Sequence, residues 1–256
     1  MGILNVTPDS FSDGGRWIDP KGALGHARRM VREGADLIDV GGESTRPGAP
    51  VVPAAEEIRR VLPVVGPLAK EGVLVSIDTS KAAVAEAAFE AGARVLNDVT
   101  ALRGDRRMAR VAARAGVAVV LMHMKGTPRT MQKNPKYADV VAEILRFFRE
   151  KLKIALRAGI ARDKILLDPG IGFGKSPEHN VEILRRLDEF RRLGCALAIG
   201  TSRKSFIGYF LGRRLDERMS GTAATVAAAI LRGADVVRVH DVREMVDVAR
   251  MTDLLR

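Results

Sequence analysis

The chain has 256 residues and carries 42 Lys and Arg against 31 Asp and Glu, a formal charge of +11, with 46% hydrophobic and 29% charged residues. That balance belongs to a globular protein and excludes disorder and fibrous repeats. The longest uncharged apolar stretch, Met219 to Leu231, contains Ser, Gly and Thr and falls short of the roughly 18 residues a membrane span requires.

Gly2 to Val6 reads as a first strand, and nothing basic precedes it as a secretory leader would require. Val6 also stands where a myristoylation motif needs Ser or Thr. A helical pattern follows over Pro20 to Glu33, then strand Leu37 to Val40, helix Ala54 to Glu71, strand Val73 to Ile77 and helix Lys81 to Ala91. The alternation continues with strand Arg94 to Leu96, helix Arg106 to Ala115, strand Val117 to Met122 and helix Ala138 to Ala158. Strand Ile165 to Leu167, helix Pro177 to Arg192, strand Ala196 to Ile199, helix Ser220 to Arg232, strand Val236 to Val239 and helix Arg243 to Leu255 complete it. Gly34-Ala35, Gly92-Ala93, Gly116-Val117 and Gly233-Ala234 suit helix C-caps that lead directly into strands. Eight strand-helix units without a long linker predict an α/β protein, a (β/α)8 TIM barrel in a single domain over residues 1–256. A doubly wound open sheet is the alternative, because periodicity does not reveal closure.

In a barrel the loops after the strand C-termini build the active site. Those ends carry Asn5, Asp39 with Glu43, Asp78, Asn97 with Asp98, His123, Asp168, Ser202 with Lys204, and Arg238 with His240. A carboxylate such as Asp168 can hold a heterocycle with adjacent N–H and NH2 donors through two near-parallel hydrogen bonds. Asp39, followed by Gly41-Gly42, reads rather as a helix cap or a barrel salt bridge. Arg46, Lys204, Arg238 and His240 form a cationic set suited to phosphate or diphosphate. Arg238 and His240, two residues apart in an extended strand, are expected to share one face and one anion. Asn5 adds a neutral oxygen that suits Mg2+ carried chiefly by a substrate diphosphate. No His and carboxylate cluster has metal-ligand spacing, so a tightly bound transition metal is not expected.

Other motifs fail. Gly174-Lys175-Ser176 imitates the end of a P-loop, but Pro169 stands where the earlier Gly belongs. His26 and His179 read as surface residues of outer helices, and Cys195 as a packed thiol. A single cysteine forms no internal disulfide and points to a reducing, cytoplasmic setting. The Arg residues are spread along the chain and aromatics are only 4%, so neither nucleic acid nor membrane is expected as a partner. The Gly- and Pro-rich loops Thr7 to Trp17 and Glu43 to Val52 read either as closing elements over a ligand or as ordered caps.

Taken together, the stretch from Met1-Gly2-Ile3-Leu4-Asn5 to Asp13-Gly14-Gly15, Gly41-Gly42-Glu43-Ser44-Thr45-Arg46-Pro47-Gly48 and Ile77-Asp78-Thr79-Ser80-Lys81 resemble dihydropteroate synthase of folate biosynthesis. So do Asn97-Asp98, Met122-His123-Met124, Asp168-Pro169-Gly170-Ile171-Gly172-Phe173-Gly174-Lys175, Ser202-Arg203-Lys204-Ser205 and Arg238-Val239-His240-Asp241, in the family's order. The resemblance implies a homodimeric barrel, a transferase joining 6-hydroxymethyl-7,8-dihydropterin diphosphate to 4-aminobenzoate by an SN1-like path. It further implies pterin contacts from Asp78, Asn97, Met122, Asp168, Gly172 and Lys204, of which Asp78, Asp168 and Lys204 bear on the chemistry. Diphosphate falls to Asn5, Arg46, Arg238 and His240, with Mg2+ near Asn5. Aminobenzoate, and competing sulfonamides, fall to Phe11, Thr45, Pro47, Phe173, Lys204 and Ser205. Members of the family carry a further segment ahead of the Met-Gly-Ile-Leu-Asn stretch, so the seam between strands one and eight is where this sequence is expected to depart. Two alternatives are a corrinoid-linked pterin-binding methyltransferase, which needs no diphosphate set at Lys204, Arg238 and His240, and a non-catalytic dihydropterin-binding paralogue.

Overall fold

The computed structural model describes residues 1–7, 20–44, 49–128 and 130–256. In chain order it runs β1 (Gly2–Asn5), α1 (Pro20–Arg32), β2 (Ile38–Gly41), α2 (Ala54–Lys70), β3 (Val75–Asp78), α3 (Ala82–Glu90), β4 (Val95–Asp98), α4 (Met108–Ala115) and β5 (Ala118–Met122). It continues α5 (Val140–Arg157), β6 (Ile165–Asp168), α6 (Pro177–Arg185), β7 (Ala196–Ile199), α7 (Ser205–Leu211), α8 (Met219–Leu231), β8 (Val236–Val237) and α9 (Val242–Leu254). All strand pairs are parallel, in the sheet order β1-β2-β3-β4-β5-β6-β7-β8, which is the α/β-barrel arrangement. At the seam, Val239 N–H donates to Met1 O (2.9 Å) and Ile3 N–H to Val239 O (3.0 Å), so the last strand's continuation bonds back to the first.

Period-two alternation divides the strand residues between two cores. Leu4, Ile38, Val40, Ile77, Leu96, Leu121, Leu167 and Leu197 face the helices and belong to the main apolar cluster. Leu37, Val95, Val120 and Ala198, with Met1, Leu166 and Val236 against them, fill the inside of the sheet. The helices present matching stripes, such as Ala23, Ala27 and Met30 on α1, spaced four and three residues apart. Each large side chain buried in this way contributes about 1.5–3 kcal/mol.

The four glycines expected as caps adopt positive φ, from 63° at Gly116 to 112° at Gly92. Behind three of them the next N–H closes the turn, as Ala93 does on Ala88 O at 2.9 Å. Two helices differ from expectation. The segment read as one helix from Pro177 to Arg192 turns at Arg186 into a 3-10 helix, Leu187–Leu193. Leu187 and Phe190 are both fully buried at i,i+3, a spacing a 3-10 helix places on one side. The short helix α7 was not expected, because seven residues hold too little period to register. His26 contacts Arg29 on an exposed face, and His179 completes a capping box with Ser176 at the start of α6. Cys195 is half-buried against the main core.

Candidate active site

The strand register brings the predicted residues to one mouth. Asn5 pairs with Gly41, Gly41 with Asp78, Asp78 with Asn97, and Met122 with Asp168. Their side chains share the inner face, since paired residues of parallel strands point the same way. Gly41 leaves a gap in this row: a Cβ there would lie 3.5 Å from Asp78 Cβ and 3.7 Å from Asn5 Oδ1. Asp98, by contrast, faces outward and accepts hydrogen bonds from Thr100 N–H (2.8 Å) and Leu102 N–H (2.7 Å), so it caps a turn away from the mouth.

Below the row lies a buried ionic network. Arg238, just past β8, donates through Nε to Asp39 Oδ2 (2.7 Å) and through Nη2 to Asp78 Oδ2 (2.9 Å). Asn97 Nδ2 donates to the same Asp39 oxygen at 2.9 Å. Asp39, fully buried, is thus the barrel salt bridge anticipated from its sequence context. Burial, and then the Asp39 charge, push the Asp78 carboxyl up to about 7, against the pull of Arg238. Burial also raises Asp168, although Gly170 N–H donates to its Oδ1 at 2.7 Å and Lys204, Arg238 and Lys175 favour its ionised form.

Arg238 and His240 have separate protein partners. The strand ends at Val237, and His240 Nδ1 lies 3.0 Å from Ser202 Oγ while Arg238 turns inward to its two acids. A guanidinium in this position compensates its burial through the nearest carboxylates. Burial and the Arg238 charge push His240 down to about 4, so its imidazole is neutral at neutral pH.

The loop after β6 forms one wall. Gly170 has φ +70°, and a Cβ there would lie 2.0 Å from the His123 carbonyl oxygen, so no other residue fits without moving backbone. Gly172 donates its N–H to Asn180 Oδ1 and accepts from Gln132 Nε2, each at 2.7 Å. Beside it, Lys204 Nζ stands 4.3 Å from the Phe173 ring centroid. Met122 packs with Val99, Met124, Met131 and Phe173 into a small apolar surface next to the acids. Ser205 follows Lys204 as the exposed first residue of α7. Arg203, at φ +57°, pairs through Nε and Nη2 with Asp241, which ties the loop after β7 to the start of α9. Phe11, Thr45, Arg46 and Pro47, with most of the two candidate closing loops, lie outside the described residues.

Asp39, read from sequence as a cap or a salt bridge, also organises Asn97 and Arg238. Two contributors were not singled out from sequence. Gln132 holds Gly172 from a loop without periodicity. Lys175, dismissed with the failed P-loop motif, is buried against His123.

Fold and site define an enzyme of the α/β-barrel type, with acids and an amide inside one mouth and a lysine beside an aromatic ring at its wall. Residues 1–240 match the pterin binding enzyme family. The dihydropteroate synthase of Escherichia coli (strain K12) is 48% identical over 254 residues, covering 99% of this chain and 90% of that protein. The crystal structure of Yersinia pestis dihydropteroate synthase with a sulfonamide drug complex superposes with a TM-score of 0.95 at 46% identity, covering 100% of this chain and 93% of that one. That of Xanthomonas albilineans dihydropteroate synthase with 4-aminobenzoic acid gives 0.93 at 46% identity, covering 99% and 91%. The chain belongs to the pterin binding enzyme family and, within it, to the dihydropteroate synthases.

Proposed function

We propose that this transferase condenses 6-hydroxymethyl-7,8-dihydropterin diphosphate with 4-aminobenzoate, giving 7,8-dihydropteroate and diphosphate in folate biosynthesis. The observation that carries the site assignment is the inner row of Asn5, Asp78, Asn97, Met122 and Asp168, five side chains aimed into one mouth by strand register. The pterin is held by Asp78, Asn97 and Asp168 at its polar edge and by Met122, Gly172 and Lys204 along its face. Aminobenzoate lies by Phe173, Lys204 and Ser205, where sulfonamides compete.

The bond from the pterin's methylene carbon to the diphosphate oxygen breaks first, with its electron pair leaving on oxygen. The electron-rich pterin spreads the resulting positive charge, and the carboxylates of Asp78 and Asp168 favour it electrostatically. Arg238 and His240 stabilise the departing anion. As the pterin's N–H donors occupy Asp78, Nη2 of Arg238 is released from that carboxylate toward the diphosphate. The aromatic amine then attacks the methylene carbon and loses a proton, so the path needs no protein nucleophile.

Among the described residues no group of three or more His, Cys, Asp and Glu could hold a metal, whereas Asn5 offers one amide oxygen across the gap at Gly41. That donor set fits Mg2+ coordinated mainly by substrate oxygens and water. Bound there, the cation supplies charge neutralisation to the leaving group.

The same reading makes the sheet a closed (β/α)8 barrel in a single domain over residues 1–256, supported by the seam bonds of Val239. It makes the protein a homodimer, supported by exposed apolar side chains on α7, α8 and α9 such as Tyr209, Leu231 and Met251. A cytoplasmic setting is supported by the unpaired Cys195.

The test mixes purified protein, pterin diphosphate, 4-aminobenzoate and Mg2+ and follows dihydropteroate by chromatography. Turnover is expected, along with its loss in Asp168→Ala and Lys204→Ala while thermal unfolding persists. Full activity in both variants would overturn the site assignment.

A further inference from the structure

Lys175 is only 3% exposed, yet among the described residues no carboxylate hydrogen-bonds it. Its Nζ meets His123 Nδ1 at 3.0 Å, the His123 carbonyl at 3.3 Å and the Phe173 carbonyl at 2.9 Å. Three acceptors match the three N–H donors of an ammonium. An ammonium buried without an ion-pair partner is costly, so such a set is a built feature rather than a chance contact. Two of the acceptors are backbone carbonyls of the segments that carry the candidate pterin contacts. The His123 carbonyl is the one against which Gly170 is wedged, and it follows Met122 directly. The Phe173 carbonyl belongs to the residue whose ring faces Lys204. His123 in turn stacks edge-on against Phe147, with centroids 4.9 Å apart, which holds the imidazole in place.

We propose that Lys175 is a positioning residue for the pterin: its ammonium ties the end of β5 to the Gly170–Gly174 segment and supplies a positive charge beside Asp168. This deepens the reading above and rests on it. The charges facing Asp168 are Lys204, Arg238 and Lys175; those facing Lys175 are Asp168 and Lys204. Those facing His123 are Lys175, Arg103 and Lys125. Burial pushes Lys175 down to about 7, so the ammonium is present below that pH. Burial and the Lys175 charge push His123 down to about 2, which leaves Nδ1 as the acceptor and the ring proton on Nε2.

Lys175→Met removes donors and charge, whereas Lys175→Gln keeps N–H donors and loses the charge. In the Met variant KM for pterin diphosphate is expected to rise about tenfold. The acid limb of kcat/KM is expected to move up by roughly one pH unit, because a carboxyl that loses a neighbouring cation protonates more easily. The Gln variant should recover part of the KM but keep the shifted acid limb, a separation that a merely structural lysine would not produce. A folded Met variant with wild-type KM and acid limb overturns the proposal, as does a Gln variant that restores the limb. Should the Met variant fail to fold, His123→Asn, which keeps an acceptor near Nδ1, and His123→Leu, which removes it, decide. Only the Leu variant should raise KM, and equal values overturn the idea. Calorimetric binding of 6-hydroxymethylpterin to wild-type and variant protein needs no turnover. An inactive wild type that binds the pterin better than the Met variant would sink the reaction and keep the positioning role, while equal binding would sink the role.

Discussion

Arg238 answers to two carboxylates at once, and Asp39 and Asp78 do different work. Asp39 lies below the mouth, where it fixes the guanidinium and the Asn97 amide; Asp78 shares the rim with Asn5. Asp39→Asn keeps the shape and removes a negative charge that raises Asp78. The Asp78 titration is therefore expected to fall below about 7, seen as a downward shift of the acid limb for pterin binding. Loss of a charged hydrogen-bond partner should also cost roughly 1.5–3 kcal/mol in urea unfolding. The two raised or lowered groups pull stability in opposite directions with pH. Asp78, raised from 3.8 to about 7, contributes stability that is complete below 3.8 and lost as pH rises through 7. His240, lowered from 6.5 to about 4, contributes stability present above 6.5 and lost as pH falls through 4. In His240→Asn the second contribution disappears, so the fall in Tm between pH 6.5 and pH 4 should be shallower than in the wild type. Their place at the strand C-termini was enough to select Asn5, Asp78, Asn97 and Asp168, whereas the partners of Arg238 come from strands on the far side of the seam and leave no mark on its own stretch of chain.

Among the elements, the loop between β6 and α6 bears the tightest constraint. Gly170, Gly172 and Gly174 have φ of 70°, 81° and 66°, and the Gly170 position touches the His123 carbonyl. Gly170→Ala is expected to cost roughly 2–4 kcal/mol, combining an unfavourable φ with displacement of backbone, and should reduce pterin affinity along with stability. Gly25→Ala, in the open on α1, serves as the control and should be neutral or stabilising by chemical denaturation. These glycines were visible in the sequence, and so were the helix caps, because both follow from local backbone chemistry. Where α6 stops was not visible: the break at Arg186 depends on burying Leu187 and Phe190 together. The short helix α7 is likewise a tertiary product, held by Phe206 and Ile207 in the core while Tyr209, Phe210 and Leu211 stay outside.

For the whole molecule, eight repeated strand-helix units predicted the architecture, but the return of the eighth strand to the first joins residues 236 positions apart and is set by sheet curvature. The exterior of this sheet is not uniform. Eight of the twelve large exposed apolar side chains among the described residues fall between Tyr209 and Leu255, so α7, α8 and α9 differ from the Arg-rich helices α1 and α4. Like charge opposes self-association through the basic helices, whereas the apolar sector loses unfavourable hydration when covered by its own copy. Leu231 and Met251, 50% and 56% exposed, can change without disturbing the core. In the homodimer proposed above, Leu231→Glu with Met251→Glu would place like charges against each other across a two-fold contact and is expected to raise the dissociation constant by roughly a hundredfold. Sedimentation velocity across a concentration series reads that shift directly. A wild type that stays monomeric at high concentration, or a double variant that dimerises as tightly as the wild type, would remove this face as the contact between subunits.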